Sequence, residues 1–393
     1  MKEKLLVLAM VFYVWLLTPV AVQAGEEGLN PEALALNQLE TLNLQDVEQF
    51  IRELDKEVGE YLPDLSIPKV LDDIRHGRFS FGFGDLLGGL GRYLFRELLT
   101  SSSLLGKIVI LAVFCAVLKN LLAAFERGTT GKLAYGVTYL VLITLALSSF
   151  TVAVNTAKGA IDQMVSFVQS LLPVLLTLMV AAGGPTSAAL VHPFVMGSLG
   201  LLSTLIRNLV FPLIYFSVIL IMVNQITERF QVSRLSDLFK QASMILLGLF
   251  LTIFVGALSL YGVAGAVADG VAMRTAKYLT GAFIPVVGKM LSDAVEAVVG
   301  SSLLATNAIH IVAMVGLFAM AAFPAVKIIA LVVVYKVAGA LVQPFGDSQM
   351  STALDAMGGA LTMVFAAVAA VGLMFFIALS AIVGMGNMTV MLR

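Results

Sequence analysis

The chain has 393 residues, 59% of them hydrophobic and only 12% charged, with a net charge of −1 and a mean hydropathy of +0.98. A soluble domain carries roughly 25% charged residues, so this composition excludes a water-dispersed globule, and the balanced charge offers no basic surface for nucleic acid. The single cysteine, Cys115, excludes an intramolecular disulfide. No zinc spacing, P-loop, GxSxG or HExxH motif occurs, so no metal, cofactor or catalytic residue is expected. The expected fold is all-α: a polytopic helical membrane protein, here in contact with the lipid bilayer.

At the N-terminus, Lys2 and Lys4 precede an apolar core from Leu5 to Leu17. Thr18-Pro19 breaks that core, and Val22-Gln23-Ala24 supplies small residues for cleavage. The pattern is that of an export signal over residues 1–24, with an uncleaved anchor as the alternative. Either way, residue 25 begins outside the cytoplasm.

Residues 25–103 form the one substantial polar stretch, expected to be extracytoplasmic and helical. Leu44, Val47, Ile51, Leu54, Val58 and Tyr61 recur at alternating steps of three and four, with Glu48, Arg52, Glu53, Asp55, Lys56 and Glu57 between them. Such a narrow apolar stripe packs one helix against another. Two readings stand: docking to a partner through Leu44, Val47, Ile51, Leu54 and Val58, or packing on the chain's own membrane domain. After Pro63 and Pro68, the Phe- and Gly-rich run 79–84 leads into 85–99, expected to lie in the outer interface.

Ten apolar segments follow, at 104–125, 132–153, 171–183, 186–208, 210–226, 243–267, 283–299, 303–323, 325–343 and 357–384. The first two are expected as transmembrane helices over 104–154. Arg127 and Lys132 flank one short loop, and Arg229, Arg234 and Lys240 mark another, which places both in the cytoplasm. The segment 171–183 ends at Gly183-Gly184-Pro185 and is too short to span about 30 Å of hydrocarbon. It and 186–208 are readable as a re-entrant hairpin or as paired spans, and the same holds for 283–323.

The layout repeats. Pro173-Val174 and Pro285-Val286 lie 112 residues apart, as do Phe211-Pro212 and Phe323-Pro324. The two copies cover 155–267 and 268–384, followed by a tail at 385–393. Each makes an even number of crossings, so the repeats are expected to be parallel.

Charge within the apolar region is concentrated at Lys289, Asp293 and Glu296, on one helical face, followed by Asn307 and His310. Intramembrane charges must pair or face water. These residues, with Asn307, are therefore candidates to line a conduit, and the alternative is an interfacial helix with its charges at the headgroups. Lys327 and Lys336 fit snorkelling near helix ends. His192 precedes Pro193 and reads as a helix-start residue. Gly256, Gly262, Gly265, Gly358, Gly359 and Gly372 fit close helix contacts, or simply the glycine content usual in membrane helices.

The chain resembles the stage III sporulation protein AE family of endospore-forming bacteria. The likeness covers essentially the whole chain and rests on the signal, the acidic amphipathic helix and Glu97-Leu98-Leu99-Thr100-Ser101-Ser102. It rests most on Phe283-Ile284-Pro285-Val286-Val287-Gly288-Lys289-Met290-Leu291-Ser292-Asp293-Ala294 and Glu296-Ala297-Val298-Val299-Gly300-Ser301-Ser302. The resemblance implies a subunit of the mother cell-to-forespore channel or secretion-like complex, located in the mother-cell membrane around the forespore. It implies other subunits of that complex and a forespore-side partner as partners, with no enzymatic role. Homo-oligomerisation, a pore-free scaffold and a small-solute transporter are the readings that remain beside a conduit or export gate.

Overall fold

The computed structural model describes residues 34–35, 37–38, 42, 44–62, 69–70, 83–124, 129–226, 232–283, 287–345 and 348–391. Within these, the side chains of 83, 119, 121–124, 129–133, 135, 225–226, 273, 276–283, 287–296, 348 and 386–391 fall outside the description. The export signal and the 79–82 part of the Phe/Gly run also lie outside the described residues.

Eight helices make up the described chain: α1 Gln45–Val58, α2 Phe83–Ala124, α3 Thr129–Ala181, α4 Pro185–Leu205, α5 Phe211–Ile226, α6 Ser233–Phe283, α7 Val287–Val342 and α8 Ser348–Met391. A π-helical turn, Ile206–Val210, joins α4 to α5 without a break. Six rods result (α2, α3, α4–α5, α6, α7 and α8), and each contains a stretch long and apolar enough to cross a bilayer. The protein is therefore an all-helical, multi-pass membrane protein.

The ten apolar segments of the sequence become six rods because the polar residues between them do not stop a helix. Segments 132–153 and 171–183 belong to the single 53-residue helix α3, which runs through Pro173. Segments 303–323 and 325–343 are likewise one helix through Pro324. A mid-helix proline deletes one N–H bond, and in a membrane bundle the neighbouring helices and local π adjustment absorb the defect. The π turn just before Pro212 is such an adjustment. A helix of 53 residues is about 80 Å long, well beyond the roughly 30 Å of a hydrocarbon core. Asp162, on α3 between its two apolar stretches, pairs at 3.0 Å with Arg207 of the π turn, both side chains about half exposed.

The rods follow one another up and down, so the ends of α2, α5 and α7 and the starts of α3, α6 and α8 share one end of the bundle, opposite the α3–α4 turn at 181–185. Contacts at the shared end tie the rods together: the Asn120 side-chain amide donates to the Phe345 carbonyl, the Val232 N–H donates to Asn224 Oδ1 at 2.9 Å, and Ser236 Oγ donates to the Ser217 carbonyl at 2.7 Å.

Helices α7 and α8 form the centre. α7 packs on α2, α3 and α8, and α8 packs on α3, α5 and α6. In the most apolar window of α8, 56% of residues are buried inside the protein, against 17% in α6, which makes α6 the peripheral rod. Close approach depends on small residues: a Cβ at Gly372 on α8 would lie 2.8 Å from the Ala321 Cβ on α7. Four of the other glycines singled out in the sequence, Gly262, Gly265, Gly358 and Gly359, also face another helix, whereas Gly256 faces open space.

Candidate functional site

The break at Gly183-Gly184-Pro185 follows directly from local chemistry. Gly183 is the only positive-φ residue among those described, at 93°, a region that L side chains rarely occupy. Gly184 N–H donates to the Met179 carbonyl at 2.9 Å and Gly183 N–H to the Val180 carbonyl at 3.0 Å. This is the Schellman pattern that ends a helix. Pro185 then opens α4 at the position where a missing N–H costs nothing.

The N-cap of α4 is Gly184, which has no side chain with which to cap. The next free amides are those of Thr186 and Ser187, which an N-cap side chain would normally serve. Here Asp269 of α6 serves them from across the interface. Thr186 N–H donates to Asp269 Oδ1 and Ser187 N–H to Oδ2, both at 2.8 Å. The carboxylate is 1% exposed. Its negative charge at the positive end of α4 is stabilised by the helix dipole. One turn back on α6, Gly265 lets the helices meet: a Cβ there would stand 2.8 Å from Ser187 Cα. Ser187 Oγ is buried and has no hydrogen-bond partner among the described residues.

Asp269 was not a candidate from sequence. It lies two residues past the apolar segment 243–267, where an acid reads as interfacial. The available signal is that it is the only acidic residue between Asp237 and Asp293.

The conduit candidates Lys289, Asp293 and Glu296 lie on the first turns of α7, with their side chains outside the described residues. Downstream, α7 carries a polar strip. Ser301, Ser302 and Thr306 are buried, and Asn307 and His310 are half-buried. The hydroxyls mostly serve their own backbone: Ser301 and Ser302 both donate to the Val298 carbonyl at 2.8 Å, and Thr306 to the Ser302 carbonyl at 2.7 Å. Ser302 also reaches Gln38 Oε1 at 3.1 Å. His310 Nδ1 is buried without a partner among the described residues.

The α1 stripe lies on the chain's own body. Val47, Leu54 and Val58 are buried, Leu44 and Ile51 are partly buried, and α1 contacts α3 and α7. Phe50 meets Phe167 of α3 edge-on, with ring centroids 5.8 Å apart. Tyr61 just beyond α1 joins an aromatic cluster with Tyr93 of α2 and Phe323 of α7, and the Tyr93–Phe323 centroids are 4.9 Å apart. Arg96 Nη1 donates to the Tyr61 hydroxyl at 3.1 Å. What α1 leaves outward is its charged face, including Asp46, Glu48, Arg52, Glu53, Asp55, Lys56 and Glu57.

Elsewhere two polar side chains of α7 are paired across helices. Tyr335, fully buried on α7, contacts the Ser149 hydroxyl on α3 and donates to the Ala146 carbonyl. Lys336 Nζ lies 2.6 Å from Asp355 Oδ1 of α8, while Lys327 is half-buried. Among the described residues no group of three His, Cys, Asp or Glu side chains could hold a metal ion.

Against known proteins, the family model described as stage III sporulation protein AE matches residues 65–386. The stage III sporulation protein AE of Bacillus subtilis (strain 168) is 40% identical over 373 residues, covering 95% of this chain and 93% of the relative. No solved structure matches.

Proposed function

Because the chain belongs to the stage III sporulation protein AE family, we propose that it is an integral subunit of the complex joining mother cell and forespore, and that it forms part of a conduit or export gate there. The proposed location is the mother-cell membrane around the forespore. The proposed partners are the other subunits of that complex and a forespore-side protein.

The observation that carries this reading is the clamped break between α3 and α4. Non-helical backbone inside an apolar bundle is tolerated only where protein or water satisfies it. Here a buried carboxylate from a third helix does so. A helix start that meets an ionisable group from another span is an arrangement that transporters use beside a pathway. The polar strip of α7, with Lys289, Asp293 and Glu296 on its first turns and Asn307 below them, is the proposed lining. The 112-residue repeat expected from the sequence is part of the same proposal. At the 112-residue offset, 185–226 of α4–α5 falls on 297–338 of α7, and α6 falls on α8.

Cysteine accessibility across Val286–Ala305 in a Cys115→Ala background tests the lining. Labelling by a membrane-impermeant thiol reagent should follow one helical face through Lys289, Asp293 and Glu296. Labelling confined to the segment ends would remove the lining. In sporulating cells, Asp293→Asn with Glu296→Gln should abolish complex function while protein level stays constant, and normal sporulation would refute the role.

A scaffold role is the second reading, supported by α1. With its apolar side turned inward, its outward charged face remains free for a partner outside the cytoplasm. Pull-down of complex partners with charge-reversed α1 separates the two readings.

A further inference from the structure

Where α1 lies on α3, the seam between them is not closed along its length. Phe50 and Phe167 make the contact, and an open cavity lies on each side of it. Toward the start of α1, a cavity of about 510 Å³ is lined by Leu42 and Asp46 on one bank and by Gln169, Ser170, Pro173 and Thr177 on the other. Toward the end of α1, one of about 250 Å³ is lined by Phe50, Glu53, Lys56 and Glu57, with Gln163 of α3 and Met320 of α7 opposite. Residues 46, 50, 53 and 57 recur at helical spacing on α1, as do 163, 166, 170, 173 and 177 on α3, so the two cavities follow one groove. From 163 to 177 it runs for about 20 Å.

The chemistry of the groove is one-sided. The α3 bank offers hydroxyls and amides, and from Gly159 to Ala181 that helix carries no Lys or Arg. Pro173 has no N–H for the Gln169 carbonyl, so one backbone acceptor of this turn loses its usual donor. Ser170 and Thr177 donate to the Ser166 and Pro173 carbonyls, at 3.0 Å and 2.8 Å, which leaves their lone pairs to accept. The α1 bank is acidic. Asp46, Glu53 and Glu57 are exposed, and no cation pairs with them among the described residues. Glu53 accepts the Gln49 side-chain amide at 2.9 Å. Lys56 offsets one of the three charges, and the larger cavity keeps its carboxylate unopposed. A bare metal ion matches this poorly, because the larger cavity holds a single carboxylate and a hard cation such as calcium takes about six to eight oxygens. A long cationic side chain matches in length, sign and donor count.

We propose that the α1–α3 groove docks a basic polypeptide segment of a partner outside the cytoplasm. One Lys or Arg side chain sits in the larger cavity between Asp46 and Ser170, and a second lies over Glu53 and Glu57. The proposal rests on the scaffold reading of α1 and adds to it the surface used and the chemistry of the partner. It also separates two sets of acids on one helix, since the exposed Glu48, Asp55 and Glu60 line neither cavity. Complementary charge in a groove fixes register and rejects partners of the wrong sign.

The test is site-directed photocrosslinking in sporulating cells that make the full-length protein. Benzoylphenylalanine replaces Ser166, which is exposed at the rim of the larger cavity. Cross-linked peptides are sequenced by mass spectrometry, and variants are compared at equal protein level. The expected adduct is a polypeptide segment with Lys or Arg within a few residues of the link. Asp46→Asn with Glu53→Gln and Glu57→Gln should reduce that adduct about fivefold or more, while Glu48→Gln with Asp55→Asn and Glu60→Gln, which removes as many charges off the groove, should leave it within about twofold. Ser170→Trp fills the cavity, keeps every charge and should reduce the adduct as the groove triple does. Absence of a protein adduct, an adduct to a segment without Lys or Arg, equal loss in the two triples, or an undiminished adduct in Ser170→Trp overturns the groove. If the groove triple keeps the adduct while charge-reversed α1 still loses partners in pull-downs, the scaffold reading stands and the groove falls. If charge-reversed α1 loses no partner, the scaffold reading falls with it.

Discussion

Removing the Asp269 carboxylate should release the tip of the α3–α4 hairpin from α6. Asp269→Ala deletes two charge-assisted hydrogen bonds, each 2.8 Å long, and leaves the Thr186 and Ser187 amides without a protein acceptor. Hydrogen bonds to charged groups contribute about 1.5–3 kcal/mol each, while deleting a buried charge returns part of its desolvation cost. Losing an ordinary N-cap costs about 0.5–2 kcal/mol. A local destabilisation of about 3 kcal/mol is the expected balance, and it corresponds to roughly 150-fold faster opening by equilibrium. Asp269→Asn retains one acceptor but turns an NH2 group toward the other amide, so it should lie between wild type and alanine. Hydrogen exchange with mass spectrometry on the purified full-length protein reads this directly. Peptides spanning 182–190 should lose protection in Asp269→Ala, while α8 peptides around 361–375 stay protected. Unchanged exchange at 182–190 in the alanine variant would refute the clamp.

Other outcomes follow from the same packing. Gly265→Val places a Cβ 2.8 Å from Ser187 Cα, and since the obstacle is backbone, overpacking of about 1–3 kcal/mol should lower the thermal unfolding midpoint and raise exchange at 182–190 as Asp269→Ala does. Gly372→Leu should separate α7 from α8 at Ala321, and reduced yield of folded protein on size-exclusion chromatography checks it. Leu54→Asp buries an unpaired carboxylate beneath α1 and should free α1, seen as faster limited proteolysis within 45–62 with the transmembrane fragments intact. Tyr335→Phe removes the hydroxyl that contacts Ser149 and should cost about 1 kcal/mol, a small drop in thermal midpoint with normal assembly. Arg207→Ala breaks an ion pair whose side chains are about half exposed, so by the usual worth of surface pairs its midpoint should barely move.

Much of this architecture is written locally. The apolar content, the 3–4 stripe of α1 and the Gly-Gly-Pro stop are short-range patterns. Each produces its helix or turn whatever surrounds it, because backbone propensity and side-chain periodicity act within a few residues. The bilayer strengthens this, since every backbone group must be satisfied within a helix or by a neighbour. What local reading divided too finely were the rods: the polar stretch 154–170 and Pro324 read as breaks, and the helix runs through both.

The site depends on the tertiary structure because its partners are far apart in sequence. Asp269 meets Thr186 and Ser187 across more than 80 residues, and Asp46 shares a cavity with Ser170 across more than 100. No periodicity encodes which lone acid will find which helix end. The inward direction of the α1 stripe is of the same kind. A 3–4 apolar pattern states that a helix will be covered, and only the placement of Phe167 and Phe323 determines that, in this chain, the cover is its own α3 and α7.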